Sequence, residues 1–236
     1  MTKQTVDFDK NAPIAGSEYD NMARLALPGY DAMHQMTLAC LEAKLPNEAN
    51  LLVVGAGTGM ELVRFGKGNS KWQFLGVDPS ENMLAIAKDK IQQHGLSEQV
   101  KLFQGYTNDL PDTSIYDAAT SILVMHFIPD DGRKLAFLES ISQRMKSSST
   151  FILVDIFGEK GTDDFKDMIS LMKKFWEEAG ISEAKTAEIL ETMEKGVYPI
   201  SEARVLELLQ QAGFGKVIRF YTGLWVGGWM AVKDEQ

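Results

Sequence analysis

Three glycines at alternate positions, Gly55, Gly57 and Gly59, follow the apolar residues 51–54 and precede a helical pattern. This order predicts a buried parallel strand, a tight turn and a helix N-terminus. Glycines let the backbone adopt positive φ and approach a ligand closely, and the N–H groups of a helix start favour negative charge. The stretch therefore predicts a loop that cradles a bound molecule.

A second apolar stretch, residues 72–77, ends in Asp78, about twenty residues beyond the glycines. In dinucleotide-binding folds an acid at this place binds ribose hydroxyls. The dinucleotide fingerprint requires G-x-G-x-x-G, but Met60 occupies the last glycine position here. These residues predict a ligand that contains a nucleoside, and NAD fits them less well.

One histidine, His126, lies near the predicted site, directly after the fourth predicted strand. An imidazole there has a pKa suited to a general base, which makes His126 the candidate catalytic residue. The alternative is that residues 125–127 form only a structural turn. His34 and His94 lack the spacing of metal ligands, so no metal is expected.

The composition is typical of a soluble globular protein, with 236 residues of which 44% are hydrophobic and 24% charged. No apolar run approaches a membrane span, and the N-terminus lacks a secretory signal, so we expect a cytoplasmic protein without a membrane partner. Cys40 is the only cysteine, which excludes an internal disulfide and a thiolate zinc site. The net charge of −9 argues against an extensive nucleic-acid surface.

Strand and helix patterns alternate from residue 51 to residue 156 and are followed by a C-terminal hairpin. This order predicts one α/β domain over residues 1–236, with a Rossmann-like, mostly parallel seven-stranded sheet and helices on both faces. Residues 17–45 form an N-terminal helical arm. Residues 158–197 interrupt the alternation with two helical patterns, and we interpret them as a lid, because ligands of such sheets bind at their carboxyl edge. Alternatively, the apolar residues of this insertion cover only a core or a dimer face.

The loop at residues 54–59, the acid Asp78 and the terminal hairpin resemble the class I S-adenosylmethionine-dependent methyltransferases. The resemblance implies S-adenosyl-L-methionine as cofactor, with the glycine loop around its methionine portion and Asp78 on its ribose. Met83 is expected on the adenine face and Tyr106 with Thr107 beside the adenine, where the family usually has an acid. The residue that contacts the adenine amine is not decided by the sequence: it is Tyr106, Asn108 or Asp109. The full set of expected cofactor contacts is Arg24, Tyr30, Gly55, Ala56, Gly57, Asp78, Pro79, Met83, Tyr106, Thr107, Ser121 and Ile122.

Within that family the chain is most similar to the carboxy-S-adenosylmethionine synthase-like group, through residues 8–9, 22–30 and 211–214 and the two-helix insertion. This resemblance implies that Arg24 binds the methionine carboxylate and that the insertion supports a homodimer. The synthase holds the extra carboxylate of its product with an arginine from the inserted helices. This chain has no arginine between Arg144 and Arg204, and the equivalent place falls near Leu190. We therefore predict ordinary S-adenosylmethionine as the cofactor.

The main hypothesis is a methyltransferase that passes a methyl group to a small or medium acceptor by in-line displacement. One alternative is a carboxy-S-adenosylmethionine synthase-like role in tRNA wobble-uridine modification. Another is a binding module for S-adenosylmethionine without catalysis, because the sequence carries few catalytic residues.

Overall fold

A mixed β-sheet forms the centre of the molecule in the computed structural model, which describes residues 8–10 and 16–235. Its strands are β1 (Ala49–Val54), β2 (Trp72–Asp78), β3 (Val100–Gln104), β4 (Tyr116–Ile122), β5 (Met145–Ile156), β6 (Phe214–Gly223) and β7 (Val226–Lys233). Within the described residues the sheet has seven strands in the order β3-β2-β1-β4-β5-β7-β6. The strands from β1 to β5 pair in parallel, and β7 runs antiparallel to both β5 and β6. The predicted Rossmann-like sheet with its C-terminal antiparallel hairpin is confirmed.

Helices cover the sheet on both sides. They are α1 (Gly16–Ala26), α2 (Tyr30–Glu42), α3 (Met60–Gly68), α4 (Glu81–Gln93), α5 (Arg133–Ser142), α6 (Asp163–Glu178), α7 (Glu183–Gly196) and α8 (Glu202–Gln211). Strand β1 is buried on both faces: Leu51 and Val53 belong to one apolar core, and Leu52 and Val54 belong to the other. This explains its continuous apolar sequence, since a parallel strand between two helical layers has no face in water.

The chain order places a switch point between β1 and β4. Strands β2 and β3 lie on one side of β1, and the later strands lie on the other side. The connections that leave the carboxyl ends of β1 and β4 therefore diverge and leave a crevice, which is where ligands bind in sheets of this type.

The N-terminal arm consists of α1 and α2, and contacts from distant parts of the chain fix it. The Trp176 indole N–H donates to the carbonyl of Ala26 at 2.9 Å, and the Tyr221 hydroxyl donates to the carbonyl of Pro28. These bonds connect the arm to α6 and to β6. The arm is thereby held over the crevice.

The insertion after β5 forms α6 and α7, close to the predicted bounds of residues 158–197. Met172 and Trp176 of α6 are buried, and Phe165, Met168, Ile169 and Phe175 pack against the same core. The apolar stripe of α6 therefore covers a core, and Trp176 of α6 also lines a cavity together with residues of α7. The role of the insertion as a lid stays a prediction. The homodimer through this insertion stays a prediction. Searched over the described ranges, the helices include none long and apolar enough to cross a membrane.

Candidate functional site

A cavity of about 710 Å³ opens at the carboxyl ends of β1, β2 and β4. Residues from the glycine loop, the β2–α4 junction and the loop after β3 form its walls, together with α1 and α2 of the arm. The crevice predicted from the strand order is therefore present, and the arm closes one side of it.

The glycine loop takes backbone conformations that other residues rarely adopt. Gly55, Gly57 and Gly59 have φ values of 74°, 50° and 80°. A Cβ atom on Gly55 would lie 2.2 Å from Cγ2 of Val124, far inside van der Waals contact. The loop thus needs glycine at residue 55 for two reasons, its positive φ and the close approach of the β4 connection.

Asp78 closes the loop at the end of β2. Its carboxylate is buried and accepts the N–H of Gly57 at 2.8 Å and the N–H of Ser80 at 2.9 Å. Burial raises the pKa of Asp78, while the two backbone N–H groups act in the opposite direction. The acid therefore fixes the glycine loop and the start of α4 relative to each other, and it forms part of the cavity wall.

Most of the cofactor contacts expected from the sequence are brought together on this wall. The expected residues that line the large cavity are Tyr30, Gly55, Ala56, Gly57, Asp78, Pro79, Met83, Tyr106, Thr107 and Ile122.

Two expected contacts, Arg24 and Ser121, lie off the wall. The Arg24 guanidinium is partly exposed, pairs with Asp31 at 3.2 Å, and lies 5.7 Å from the ring centre of the cavity residue Tyr30. Ser121 is fully buried within the sheet, and its hydroxyl has no hydrogen bond to any described residue. Because neighbouring strand residues point to opposite faces, it is Ile122 that reaches the cavity. Both residues lie off the cavity wall, and a contact of either with the cofactor stays a prediction.

The loop after β3 carries the three candidates for the adenine contact, Tyr106, Asn108 and Asp109. The carboxylate of Asp109 accepts the backbone N–H of Tyr106 at 2.8 Å, and Asp109 does not line the cavity. Asn108 does line it, and Thr107 is held in the wall by a 2.5 Å hydrogen bond to Ser140. Tyr106 and Asn108 therefore both line the cavity, Asp109 is engaged within its own loop, and the adenine contact stays a prediction.

Glu61, in the first turn of α3, is a wall residue that the sequence reasoning missed. It is buried, and the Thr120 hydroxyl donates to its Oε2 at 2.7 Å. Burial raises the pKa of Glu61 to about 8, and the Thr120 bond opposes this. Acids in a first helical turn usually lie in solvent, so only its place directly after the glycine loop could have signalled a site residue.

A second, smaller cavity of about 140 Å³ adjoins the first below α7. Its walls are mostly apolar side chains from α1, α6 and α7 and from the start of the hairpin, among them Met22, Trp176, Ile189 and Trp225. The walls of both cavities include Phe8, Tyr19, Leu123 and Phe127.

His126 lines the smaller cavity rather than the larger one. Its imidazole Nδ1 and Oδ1 of Asp155 are 2.5 Å apart, and both side chains are buried. Oδ2 of Asp155 accepts the backbone N–H of His126 at 3.0 Å. Asp155 is a second residue that the sequence reasoning missed. Its signal was its place near the carboxyl end of a parallel strand, where an acid is a candidate site residue.

Comparisons with known proteins agree on the fold. Residues 51–148 match the family model of a methyltransferase domain. The carboxy-S-adenosyl-L-methionine synthase of Campylobacter jejuni subsp. doylei is 25% identical over 232 residues, which cover 98% of this chain and 96% of that protein.

Two solved structures share the architecture. One is a SAM-dependent methyltransferase of Aquifex aeolicus, 23% identical, with a TM-score of 0.61 over 95% of this chain and 100% of that one. The other is a Methanococcus maripaludis protein put forward as an S-adenosyl-L-methionine-dependent methyltransferase, 17% identical, with a TM-score of 0.67 over 100% of this chain and 98% of that one. Likenesses of this size establish the fold. The match of residues 51–148 to a methyltransferase domain supports an enzyme that uses S-adenosylmethionine as its cofactor.

Proposed function

We propose that this protein transfers a methyl group from S-adenosylmethionine to a small acceptor whose reacting group lies in the smaller cavity. The observation that carries the proposal is that His126 lies on the wall of that cavity and is paired with the buried Asp155 behind it. A base at this position is separate from the cofactor wall and adjoins it, as methyl transfer between two bound molecules requires.

The large cavity fits the cofactor. The backbone cradle at Gly55 leaves no room for a side chain, the carboxyl of Asp78 lies where ribose hydroxyls are expected, and Met83 offers an apolar surface for a purine ring. When bound, the cofactor supplies a methyl group already activated by its sulfonium. The chain has only to hold the two molecules, exclude water and move one proton.

His126 moves that proton. Because Asp155 accepts from Nδ1, the imidazole keeps its proton on Nδ1, and Nε2 is the basic nitrogen. Nε2 can then accept the proton of an acceptor O–H, N–H or S–H, and the imidazolium that forms is stabilised by the carboxylate of Asp155. Asp155 is itself held by the N–H groups of His126 and Ile156, at 3.0 and 2.7 Å.

The acceptor is proposed to be apolar or aromatic, because apolar side chains dominate the smaller cavity. A volume of about 140 Å³ is close to that of the engineered cavity of about 150 Å³ that binds benzene. The helix α7 and Trp176 cover this volume and would keep water from the reacting groups.

A carboxy-S-adenosylmethionine synthase-like activity is the second candidate, and the full-length similarity to that enzyme favours it. The described residues of α6 and α7 offer little to hold an extra carboxylate. Leu190 packs against the core, Lys185 pairs with Glu188 at 2.8 Å, and Lys195 pairs with Glu191. A lysine engaged in such a pair is a poor substitute for the two-pronged grip of arginine.

The test compares His126→Gln and Asp155→Asn with His94→Gln, a change of an exposed histidine far from the cavities. Formation of S-adenosylhomocysteine is followed with a panel of small phenols, thiols and amines, and calorimetry reports cofactor affinity. We expect His126→Gln to lower turnover by about 10²- to 10⁴-fold, as loss of a general base does, with cofactor affinity unchanged.

Full turnover in His126→Gln would refute its role as base. Tighter binding of the carboxylated cofactor than of S-adenosylmethionine would put the synthase-like activity first. Cofactor binding without turnover of any acceptor would favour the non-catalytic module.

A further inference from the structure

The carboxyl group of Glu61 lies on the wall of the large cavity, and only one of its two oxygens has a hydrogen-bond partner among the described residues. Thr120 donates to Oε2, whereas Oε1 has no hydrogen bond to any residue in the described part of the chain. A buried carboxyl in this state is costly for the folded protein unless a ligand completes it.

Among the described residues, no Lys, Arg or His side chain forms an ion pair with Glu61. The nearby cations are committed elsewhere: Lys90 pairs with Asp20, and Arg24 and Arg64 both pair with Asp31.

The titratable groups around Glu61 do not bring a positive charge either. Burial raises the pKa of Tyr19 on α1 to about 12 and also raises the pKa of Tyr30 on α2, so both phenols are neutral. Burial lowers the pKa of His34 on α2 to about 4, so its imidazole is neutral at pH 7. Asp78 on β2 adds an acidic group to the same end of the cavity, whereas the charge of Asp20 on α1 is balanced by its pair with Lys90. This end therefore attracts a cation.

We propose that Glu61 binds the α-ammonium group of the cofactor's amino-acid end. The inference rests on the proposed cofactor site and adds to it a residue that neither the sequence motifs nor the family resemblance assigned. Glu61 lies in the first turn of α3, directly after the loop of residues 55–59 expected to hold the methionine portion. An ammonium group donates hydrogen bonds, which a sulfonium cannot do, and Oε1 of Glu61 is an acceptor in need of a donor.

A proton is released when this contact forms. Because burial raises the pKa of Glu61 to about 8, the empty site holds mostly the neutral acid at pH 7. An ammonium group stabilises the carboxylate, so the acid loses its proton as the ligand binds. Affinity for the ligand should therefore rise with pH up to about pH 8 and fall at higher pH, where the ligand's own ammonium group loses its proton.

The experiment is calorimetric titration of the full chain with two ligands at pH 7. S-adenosylhomocysteine has the amino-acid end, and 5′-methylthioadenosine has the same nucleoside and sulfur without it. Titration in phosphate and in Tris, whose ionisation enthalpies differ, counts the protons released. For the unaltered protein we expect about one proton with S-adenosylhomocysteine and none with methylthioadenosine.

The variant Glu61→Gln should release no proton and bind S-adenosylhomocysteine about tenfold or more weakly, while methylthioadenosine binds within about twofold of the unaltered protein. The matched control is Glu81→Gln, which changes an exposed acid in the first turn of α4 and should alter neither ligand.

Three outcomes would overturn the inference: no proton release by the unaltered protein, unchanged affinity in Glu61→Gln, or equal weakening of both ligands. The proton count needs no variant and holds even if Glu61→Gln folds poorly. Failure of both ligands to bind the unaltered protein would instead refute the cofactor site itself, so the two failures are distinguishable.

Discussion

The two adjoining cavities are built from different parts of the chain. The glycine loop and the connections after β2, β3 and β4 form much of the wall of the large cavity, through backbone groups and through both polar and apolar side chains. The small cavity is lined mostly by apolar side chains from α1, α6, α7 and the hairpin, and its basic side chains are His126 and Lys185. The first cavity is therefore built largely on the sheet, whereas most of the second depends on elements added to the sheet.

The largest effect that separates the two cavities is expected from Asp78→Ala. Loss of a carboxylate that receives two ribose hydroxyls should weaken S-adenosylhomocysteine by about 100-fold or more, since each bond to a charged group contributes about 1.5–3 kcal/mol. Calorimetry measures the affinity, and Asp89→Ala on the exposed side of α4 is the control. Unchanged affinity in a folded Asp78→Ala variant would show that the large cavity is not the nucleoside site.

Filling the small cavity should give the opposite pattern. In Ile189→Trp the indole would occupy the volume below α7, and we expect turnover to fall by about 100-fold through misplacement of the acceptor, while cofactor affinity stays unchanged. Ala187→Trp places the same side chain on the exposed surface of α7 and should leave turnover intact. Loss of cofactor affinity in Ile189→Trp would mean that the cavities do not have separate ligands.

The backbone cradle of the large cavity is tested by Gly55→Ala. The positive φ costs about 1–2 kcal/mol for alanine, and the new Cβ would also press on Val124, so we expect cofactor affinity to fall by about tenfold. Gly132→Ala introduces the same residue at a φ of 98°, with no atom within 4 Å of the new Cβ, and isolates the conformational cost. If the double variant Gly55→Ala with Val124→Ala recovers none of the lost cofactor affinity, the loss comes from the positive φ rather than from the contact with Val124.

The smallest effect is expected from Arg24→Gln. Because Arg24 is partly exposed, lies off the cavity wall and pairs with Asp31, its charge should contribute no more than about 1 kcal/mol, and cofactor affinity should change by less than about threefold. The affinity of Arg24→Gln for the cofactor is compared with that of Glu61→Gln, measured by the same titration. A loss of tenfold or more in Arg24→Gln would restore the role that the family resemblance implied.

The sequence was informative about features that short, continuous stretches of the chain determine. The strand–glycine–helix order, the acid at the end of β2 and the alternation of elements lie within short stretches. The structure confirms the sheet that they predicted, and most of the expected contacts line the large cavity. Both Ser121 and Ile122 were expected at the site, and of the two only Ile122 lines the cavity, because the period-two pattern of a strand buried on both faces does not show which neighbour points to it.

The small cavity could not be predicted, because its walls meet only after distant elements pack together. Trp225 of the hairpin packs edge-on against Trp176 of α6, with ring centres 5.8 Å apart, and both line the cavity with Met22 of α1. The pairing of His126 with Asp155 likewise joins two strand ends. The pairing of Arg24 was missed for a related reason, since its partner Asp31 is contributed by the next helix of the arm.

Residue Phe8 gives the two cavities a common boundary. Its ring packs edge-on against Tyr19 and Phe127, with ring centres 6.0 and 5.6 Å apart. Its neighbour Asp9 is fixed to the start of α4 by the Ser80 hydroxyl and by the N–H groups of Glu81 and Asn82. A ligand that displaced this ring would alter both cavities and so couple the two binding free energies. By thermodynamic reciprocity, whatever factor the cofactor adds to acceptor affinity, the acceptor returns to the cofactor.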